Sequence, residues 1–467
     1  MEPSRTPALI AEPAADEPLA HRRLVFGIVA IALLMASIDQ TIVATALNAI
    51  RGDLNAPLTW SGWTITIYAL GQIIVMPLAG RLGDQFGRKK VFLGAAALFT
   101  IASLACSLAD NIYLLVVFRA LQAMGGGAFM PTATGIVAEQ FGRDRDRAIG
   151  MFTSIFPIGG IIGPIIGGII VTYWSWREIF VVNIPIGLLL ILLGLRFIPS
   201  STPKAAARVD GAGAALLALT LLFGMFGISS LGGSGAEPTD PLFIASMALA
   251  LTLGVLFVRH ANRHAAPFIP ISLLRGRGFG AMNTINFLFG AAMLGFGALV
   301  PLYAESRYGI QPLQAGTLLT ARAVGMICVA GLAVFALRRT GYRAPMIGGF
   351  VLVAAGMTVM SLPPHGLTPY AWLAMAAGIT GIGMGLSIPA SNNASLQLAP
   401  DQISAIAGLR GMFRQSGGIV AVSITTTILT HSANSGTAQA YSFVVFAAIL
   451  LLMIPLTFLV PDHRGSW

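Results

Sequence analysis

The chain has 467 residues, 56% of them hydrophobic and only 10% charged, with a mean hydropathy of +0.81. Soluble domains carry about 25% charged residues, so an aqueous setting for most of this chain is excluded. The formal net charge of +10 is spread over short loops between apolar runs, which argues against a nucleic-acid partner and for a charge that sets membrane orientation.

Residues 1–22 are rich in Pro, Ala and Glu and are expected to form a disordered cytoplasmic segment. Apolar runs long enough for a hydrocarbon core about 30 Å thick then follow at 24–47, 58–80, 91–109, 112–137, 148–172, 179–198, 211–229, 241–258, 279–303, 313–336, 345–361, 370–391, 405–430 and 440–460. This pattern predicts an all-α polytopic membrane protein of about 14 spans. With these runs as spans, Arg51, Arg177 and Arg307 fall on one side and Arg119, Arg322, Arg410 and Arg414 fall within the membrane. Every other Lys and Arg lies on the opposite side. The positive-inside bias then predicts a multi-pass protein of the cell (inner or plasma) membrane with both termini in the cytoplasm.

The first span carries Asp39 in "SIDQTIVATAL" (37–47). A charge near the bilayer centre costs about 2.5–3.5 kcal/mol, so an intramembrane acid is a functional candidate by default. Between spans two and three, "GRLGDQFGRKK" (80–90) forms a Gly-rich turn whose single acid, Asp84, sits among Arg88, Lys89 and Lys90. A carboxylate there is expected to cap a helix N-terminus.

Span four brings Arg119 in "VFRALQAMGGG". Asp39 lies about 12 Å from the outer end of span one and Arg119 about 10 Å into span four, so the two reach equal depth and form a candidate pair. Gln122, one turn on, is a candidate for lining a cavity.

The fifth span holds "GGIIGPIIGG" (159–168), with five glycines and a proline in ten residues. That composition weakens a helix by about 7–8 kcal/mol relative to alanine. Gly159, Gly163 and Gly167 form one stripe on which a neighbouring backbone can approach closely. Pro164 is expected to bend the span, and Gly168 completes the pattern. In "YWSWREIFVVNIPIG" (173–187), Trp174 and Trp176 are expected to anchor at the interface.

Later in the chain, Arg322, Arg410, Arg414 and Gln415 stand in apolar surroundings. Arg322, Arg414 and Gln415 are further candidates for a cavity wall, and Arg410 is placed to snorkel towards the cytoplasm. Arg322 has no acidic partner in view. Glu139 and Glu305, near span ends, read as solvated. Cys106 and Cys328 read as small buried hydrophobes, and His260 and His264 as solvated members of a basic loop, so no metal site is expected. A GxxxxGK[ST] phosphate loop is absent, which leaves the proton motive force, with no cofactor, as the expected energy source.

Three short patterns recur at one offset. "GGGAFMP" (125–131) and "GMGLSIP" (383–389), "IGGI" (158–161) and "SGGI" (416–419), and "RLG" (81–83) and "RTG" (339–341) are each 258 residues apart. The repeat predicts two six-helix bundles, 23–200 and 279–460, related by a pseudo-twofold axis along the membrane normal. Two inserted transmembrane helices (205–262) and a basic cytoplasmic linker (263–278) separate them. A cytoplasmic tail (461–467) follows.

The motifs from about Leu24 to Val460 resemble those of the major facilitator superfamily, specifically its fourteen-span drug:proton antiporter branch. Residues 80–90 are similar to the superfamily's loop signature, with Gly83 and Gln85 at variable places. The resemblance implies a conformational latch formed by Gly80, Asp84, Gly87 and Arg88. The Asp39 stretch is similar to the branch's first-span signature, departing at Ala44, Thr45 and Asn48. Arg119 and Gln122 match the span-four motif, in which Ala123 replaces a glycine, and imply proton coupling. Residues 159–168 satisfy the pattern that marks antiporters in the superfamily. "RGMFRQSGG" (410–418) is similar to a stretch near the start of the penultimate span.

The expected function is therefore export of drugs or other amphipathic or cationic small molecules in exchange for protons, by alternating access. The partners are a small-molecule substrate, protons and membrane lipids, and the protein is expected to act as a monomer. A specialised exporter of a lipid, siderophore or metabolite on the same fold is the alternative. An enzyme is not expected, because H-E-x-x-H, G-x-S-x-G and a clustered metal set are missing from the sequence.

Overall fold

The computed structural model describes residues 19–56, 58–201, 210–230, 237–264, 267, 269, 276–399, 403–430, 432 and 434–462. Most of the expected disordered segment, basic linker and tail lies outside these residues. The first half contains α1 (Leu19–Asp53), α2 (Leu58–Phe86), α3 (Arg88–Ser107), α4 (Ile112–Phe141), α5 (Arg145–Thr153), α6 (Ile155–Tyr173), α7 (Glu178–Val181) and α8 (Asn183–Phe197). Two helices, α9 (Gly211–Ser230) and α10 (Pro241–Arg263), come next. The second half comprises α11 (Arg277–Tyr308), α12 (Pro312–Thr340), α13 (Arg343–Ser361), α14 (Pro369–Gln397), α15 (Ile403–Thr430) and α16 (Ser435–Leu452), and closes with a 3-10 turn over Ile454–Leu459.

Thirteen helical stretches among the described residues are long and apolar enough to cross a bilayer. α15 is not one of them; it has the length, 28 residues, but carries Arg410, Arg414 and Gln415 inside it. Three spans expected to be single are interrupted, at Ser154, Val182 and Met453. Pro157, Pro185 and Pro455 follow these breaks by two or three residues. A proline lacks the N–H that bonds the carbonyl four residues earlier, and the ladder opens there. The interruption of span five thus falls at Ser154, while Pro164 is carried inside the unbroken α6.

The 258-residue offset survives in three dimensions. Helices starting at 19, 58, 88, 112, 145 and 178 have counterparts starting at 277, 312, 343, 369, 403 and 435, between 254 and 258 residues later. The same neighbours recur. α1 packs on α6, α2 and α3 on α4, and α3 on α8; α11 packs on α15, α12 and α13 on α14, and α13 on α16. Gly125 and Gly383 occupy matching positions. A Cβ at Gly125 would stand 2.7 Å from the Ala95 carbonyl of α3, and one at Gly383 2.6 Å from the Gly349 carbonyl of α13. Helices without a hydrophobic drive in lipid associate through such backbone contacts.

α9 and α10 pack on each other, with α9 also touching α2 and α15. α9 presents Leu219 outward and α10 presents Leu242, Ile244, Leu249, Leu251 and Val255, as a lipid-facing pair does.

The halves meet most closely at one end of the bundle. α15 packs on α2 and α4, while α12 and α14 pack on α5. Asn392 donates to Thr153 Oγ1 (2.8 Å), and Asn393 to the Asp146 carbonyl (3.1 Å). The Asp146 carboxylate accepts from the Tyr342 hydroxyl (3.1 Å) and from Gln397 (3.3 Å). The first and last described segments lie here. Arg22 and Arg23 line a cavity with Asp144 and Arg147, and Asp462 accepts from the backbone N–H groups of Tyr342 and Arg343. Burial and the adjacent Asp146 charge push the Tyr342 phenol well above its ordinary range, so it remains a donor.

The α6 glycines answer to α1. A Cβ at Gly159 would meet Ser37 at 2.5 Å, one at Gly163 would collide with Thr41, and one at Gly167 would reach Ile42 at 2.7 Å. Gly168, expected to belong to the same pattern, opens on nothing within 4 Å. Gly163→Leu is therefore expected to abolish monodisperse protein on size-exclusion chromatography, whereas Gly168→Leu stays within about 0.5 kcal/mol of the parent in stability. Equal behaviour of the two variants would refute the close contact.

Candidate functional site: a buried ion pair in the first half

The stripe of α6 clamps the turn of α1 that carries Asp39. Ser37 donates to the Phe156 carbonyl, and Thr41 lies 3.5 Å from the Gly159 carbonyl. With its backbone fixed in this way, Asp39 points into the centre of the first half, where it is fully buried. Arg119 of α4, equally buried, donates through Nη1 to Asp39 Oδ2 at 2.6 Å. Asp39 Oδ1 accepts from Gln122 Nε2 (2.9 Å) and from Asn183 Nδ2 of α8 (2.8 Å).

These donors are themselves held. Arg119 Nη1 also donates to Gln122 Oε1 (2.7 Å) and its Nε to the Thr64 carbonyl (3.3 Å), while its guanidinium lies 4.0 Å over the Tyr68 ring. Ser103 Oγ accepts from Gln122 (2.6 Å) and Asn183 (3.1 Å). Five helices, α1, α2, α3, α4 and α8, thus converge on one carboxylate. Every polar neighbour that touches the carboxylate is a donor. The ionised form is fully satisfied, and an added proton must displace one of these bonds.

Gln122, expected at a cavity wall, instead belongs to this network. Asn183, Ser103, Thr64 and Tyr68 were not singled out in the sequence. Each is an uncharged residue in an apolar run, and the sole hint was the N-x-P-x-G that begins at Asn183. Trp176, expected at the interface, is buried and donates to Asp53 (3.1 Å); Trp174 is the exposed one. Hydrogen bonds from Arg177 and Trp176 hold the Asp53 carboxyl below its ordinary range.

The 80–90 loop is fastened within the first half. Asp84 lies in the last turn of α2 and does not cap an N-terminus, because α2 runs on to Phe86. Gly87, at φ 94°, makes the corner in a conformation other residues avoid. Arg88 donates to Asp84 (3.1 Å) and to the Gly135 carbonyl (2.8 Å), and pairs with Glu139 (2.7 Å), which is therefore not merely solvated. Gly80 is buried in α2. At the loop that repeats this one, between α12 and α13, Tyr342 instead bonds across the halves to Asp146 of α5.

Near mid-depth Gln415 donates to Gln72 (2.9 Å) across the halves, and Arg414 Nη2 lies 3.9 Å from Met130 Sδ. Arg322 Nη1 reaches the Met293 carbonyl at 3.4 Å. Arg410 does not snorkel: it is 2% exposed. Cys328 is exposed, contrary to its expected burial, while Cys106 is buried beside Gln122. His260 lies on α10, not in a loop, and bonds Asp210 at 2.8 Å. The donor atoms of Asp210, His260 and His264 fall within 4.8 Å of one another, a set whose chemistry suits a divalent cation.

A model of the Major Facilitator Superfamily matches residues 29–422 and 282–467. The chain belongs to this superfamily. It is 30% identical over 412 residues to the "Multidrug resistance protein B homolog" of Mycobacterium tuberculosis, a match covering 87% of this chain and 76% of that one. The "Multidrug transporter protein MdtP" of Bacillus subtilis is 28% identical over 421 residues, covering 88% and 76%. The superfamily fold is also seen in solved structures. The human organic anion transporter MFSD10 (TETRAN) superposes with a TM-score of 0.66 at 14% identity, covering 94% of this chain and 100% of that one. The proton:xylose symporter XylE gives 0.65 at 14% identity, covering 96% and 97%.

Replacing Asn183 tests the network while leaving Asp39 and Arg119 in place. Asn183→Ala loses a donor to a carboxylate, worth about 1.5–3 kcal/mol. Asn183→Asp sets a second acid against Asp39 and is expected to lower the melting temperature in detergent further. A melt at or above that of Asn183→Ala would contradict the observed bond.

Proposed function

We propose that the chain is a proton-coupled antiporter that exports amphipathic small molecules by alternating access. In this reading α15 also crosses the membrane, as the penultimate of fourteen spans, both termini are cytoplasmic, and the halves 23–200 and 279–460 rock about a central path while the protein acts as a monomer. The multidrug names of the relatives support the exporter class. The observation that carries the proton reading is the Asp39 carboxylate, buried and surrounded solely by donors. Protonation removes its charge, leaves Arg119 without a counter-ion and breaks at least one bond among five helices, which favours a different arrangement of them.

A proton falling through about 100 mV and one pH unit releases about 3.7 kcal/mol, sufficient to hold a neutral solute at a gradient of several hundredfold. The bonds around Asp146 close the terminal end, so this conformation is read as the one sealed towards the cytoplasm, in which Asp39 awaits a proton from outside. Asp39→Asn is expected to reduce pH-gradient-driven export of naphthalene-based probes from proteoliposomes to the leak rate, while exchange down a solute gradient persists. Undiminished gradient-driven flux would remove Asp39 from the coupling role.

A further inference from the structure

The second half has the opposite charge problem from the first. Between Arg277 and Val460 the sequence has two acids, Glu305 and Asp401, both outside the middle of the spans. The same stretch places Arg322, Arg410 and Arg414 at membrane depth. Arg119 has Asp39 as a counter-ion; these three have no carboxylate bonded to them among the described residues.

Arg410 is the extreme case. It is 2% exposed, and its Nε, Nη1 and Nη2 all lack hydrogen-bond partners among the described residues. It borders a small cavity of about 10 Å³ whose other polar walls are Asn283, Asn286 and Ser395. That volume is about enough for one water. An uncompensated buried guanidinium is expensive in any protein and more so in lipid.

The three cations are arranged in order along α11. Arg410 lies level with Asn283 and Asn286, Arg414 has its backbone against Gly290, and the Arg322 guanidinium reaches Met293 and Gly297. From Asn283 to Gly297 is about 21 Å along the helix axis. The series starts near the end closed by Asp146 and runs towards the opposite end. Arg414 also faces Met130 of the first half, at the junction that alternating access must open.

We propose that this ladder is an anion path: the exported solute carries a carboxylate, sulfonate or phosphate that pairs with Arg410 and Arg414 and then Arg322, and lipophilic cations are excluded. The inference rests on the exporter reading above and deepens it by naming the substrate class. In the conformation described, the terminal end is sealed and Arg410 waits without a partner among the described residues. Opening that end exposes it first, and an anion arriving from there satisfies three donors at once. A planar guanidinium suits such groups because it offers a fork of parallel N–H bonds. A lipid headgroup phosphate has the same chemistry as an anionic solute, and the test separates the two.

The experiment uses the full chain in detergent with two probes, a naphthalene sulfonate and the same ring carrying a trimethylammonium group. The sulfonate is expected to raise the melting temperature and the ammonium probe to leave it unchanged. Arg410→Gln is expected to raise the half-effective sulfonate concentration about tenfold, as loss of a charge-assisted bond does, with Arg410→Lys intermediate. Arg322→Gln, away from the junction of the halves, gives a second reading should Arg410→Gln fail to yield monodisperse protein. Stabilisation by the ammonium probe alone, or a sulfonate effect unchanged in both Gln variants, overturns the proposal. Arginine-dependent stabilisation by phosphatidylglycerol but not by the sulfonate overturns the solute path and assigns the ladder to a lipid headgroup. Arginine-dependent sulfonate binding without pH-gradient-driven export in proteoliposomes leaves the anion path standing and defeats the proton-coupled reading instead.

Discussion

A buried carboxylate and a buried guanidinium inside a membrane offset the cost of one another's burial when they meet. Asp39 and Arg119 do so at 2.6 Å, and the surrounding architecture serves that contact. The α6 glycines bring α1 to its place, α4 supplies both Arg119 and Gln122, and Asn183 adds a donor to the carboxylate while Ser103 accepts from Gln122 and Asn183. Removing one member of such a network leaves its partner stranded, which is why buried pairs of this kind act together. In the proposed cycle the same network receives the chemical input, because one proton changes the hydrogen-bonding requirement of a carboxylate to which three side chains donate.

Much of this was legible in the sequence, for reasons specific to each residue. Helix periodicity and a fixed rise place Asp39 and Arg119 at equal depth although 80 positions separate them. The fourfold spacing of Gly159, Gly163 and Gly167 marks a close-packed face before the neighbour is known. The internal repeat emerged because glycine and proline are demanded by backbone geometry, and Gly125 and Gly383 do occupy equivalent contacts. Other features had no local signature. Asn183 and Ser103 are ordinary polar residues until three other helices surround them. Asp210 and His260 meet only because α9 and α10 fold back on one another. The break at Ser154 depends on Pro157, which drew less notice than the glycine-rich run beyond it. Arg410 lies two turns from the start of α15, where snorkelling is ordinarily available, and its burial comes from neighbours that the chain does not announce.

The two halves share one plan and differ in electrostatics. In the first, a buried cation is neutralised by a resident acid. In the second, the chain provides cations and withholds the acids. A duplicated scaffold can divide its labour in this way because helix packing is set by small residues such as Gly125 and Gly383, which leaves the polar positions free to diverge.

The fifth crossing carries a further mechanical consequence. Its longer piece, α6, grips α1 on both sides of Asp39, and its shorter piece, α5, bears Asp146 and Thr153, which bolt the first half to α14 and the Tyr342 loop. Between them the ladder is interrupted at Ser154, so the segment is a crank with a joint and not a rigid rod. In the proposed cycle this joint links the acid to the far closure through the backbone of one crossing, without a relay of side chains.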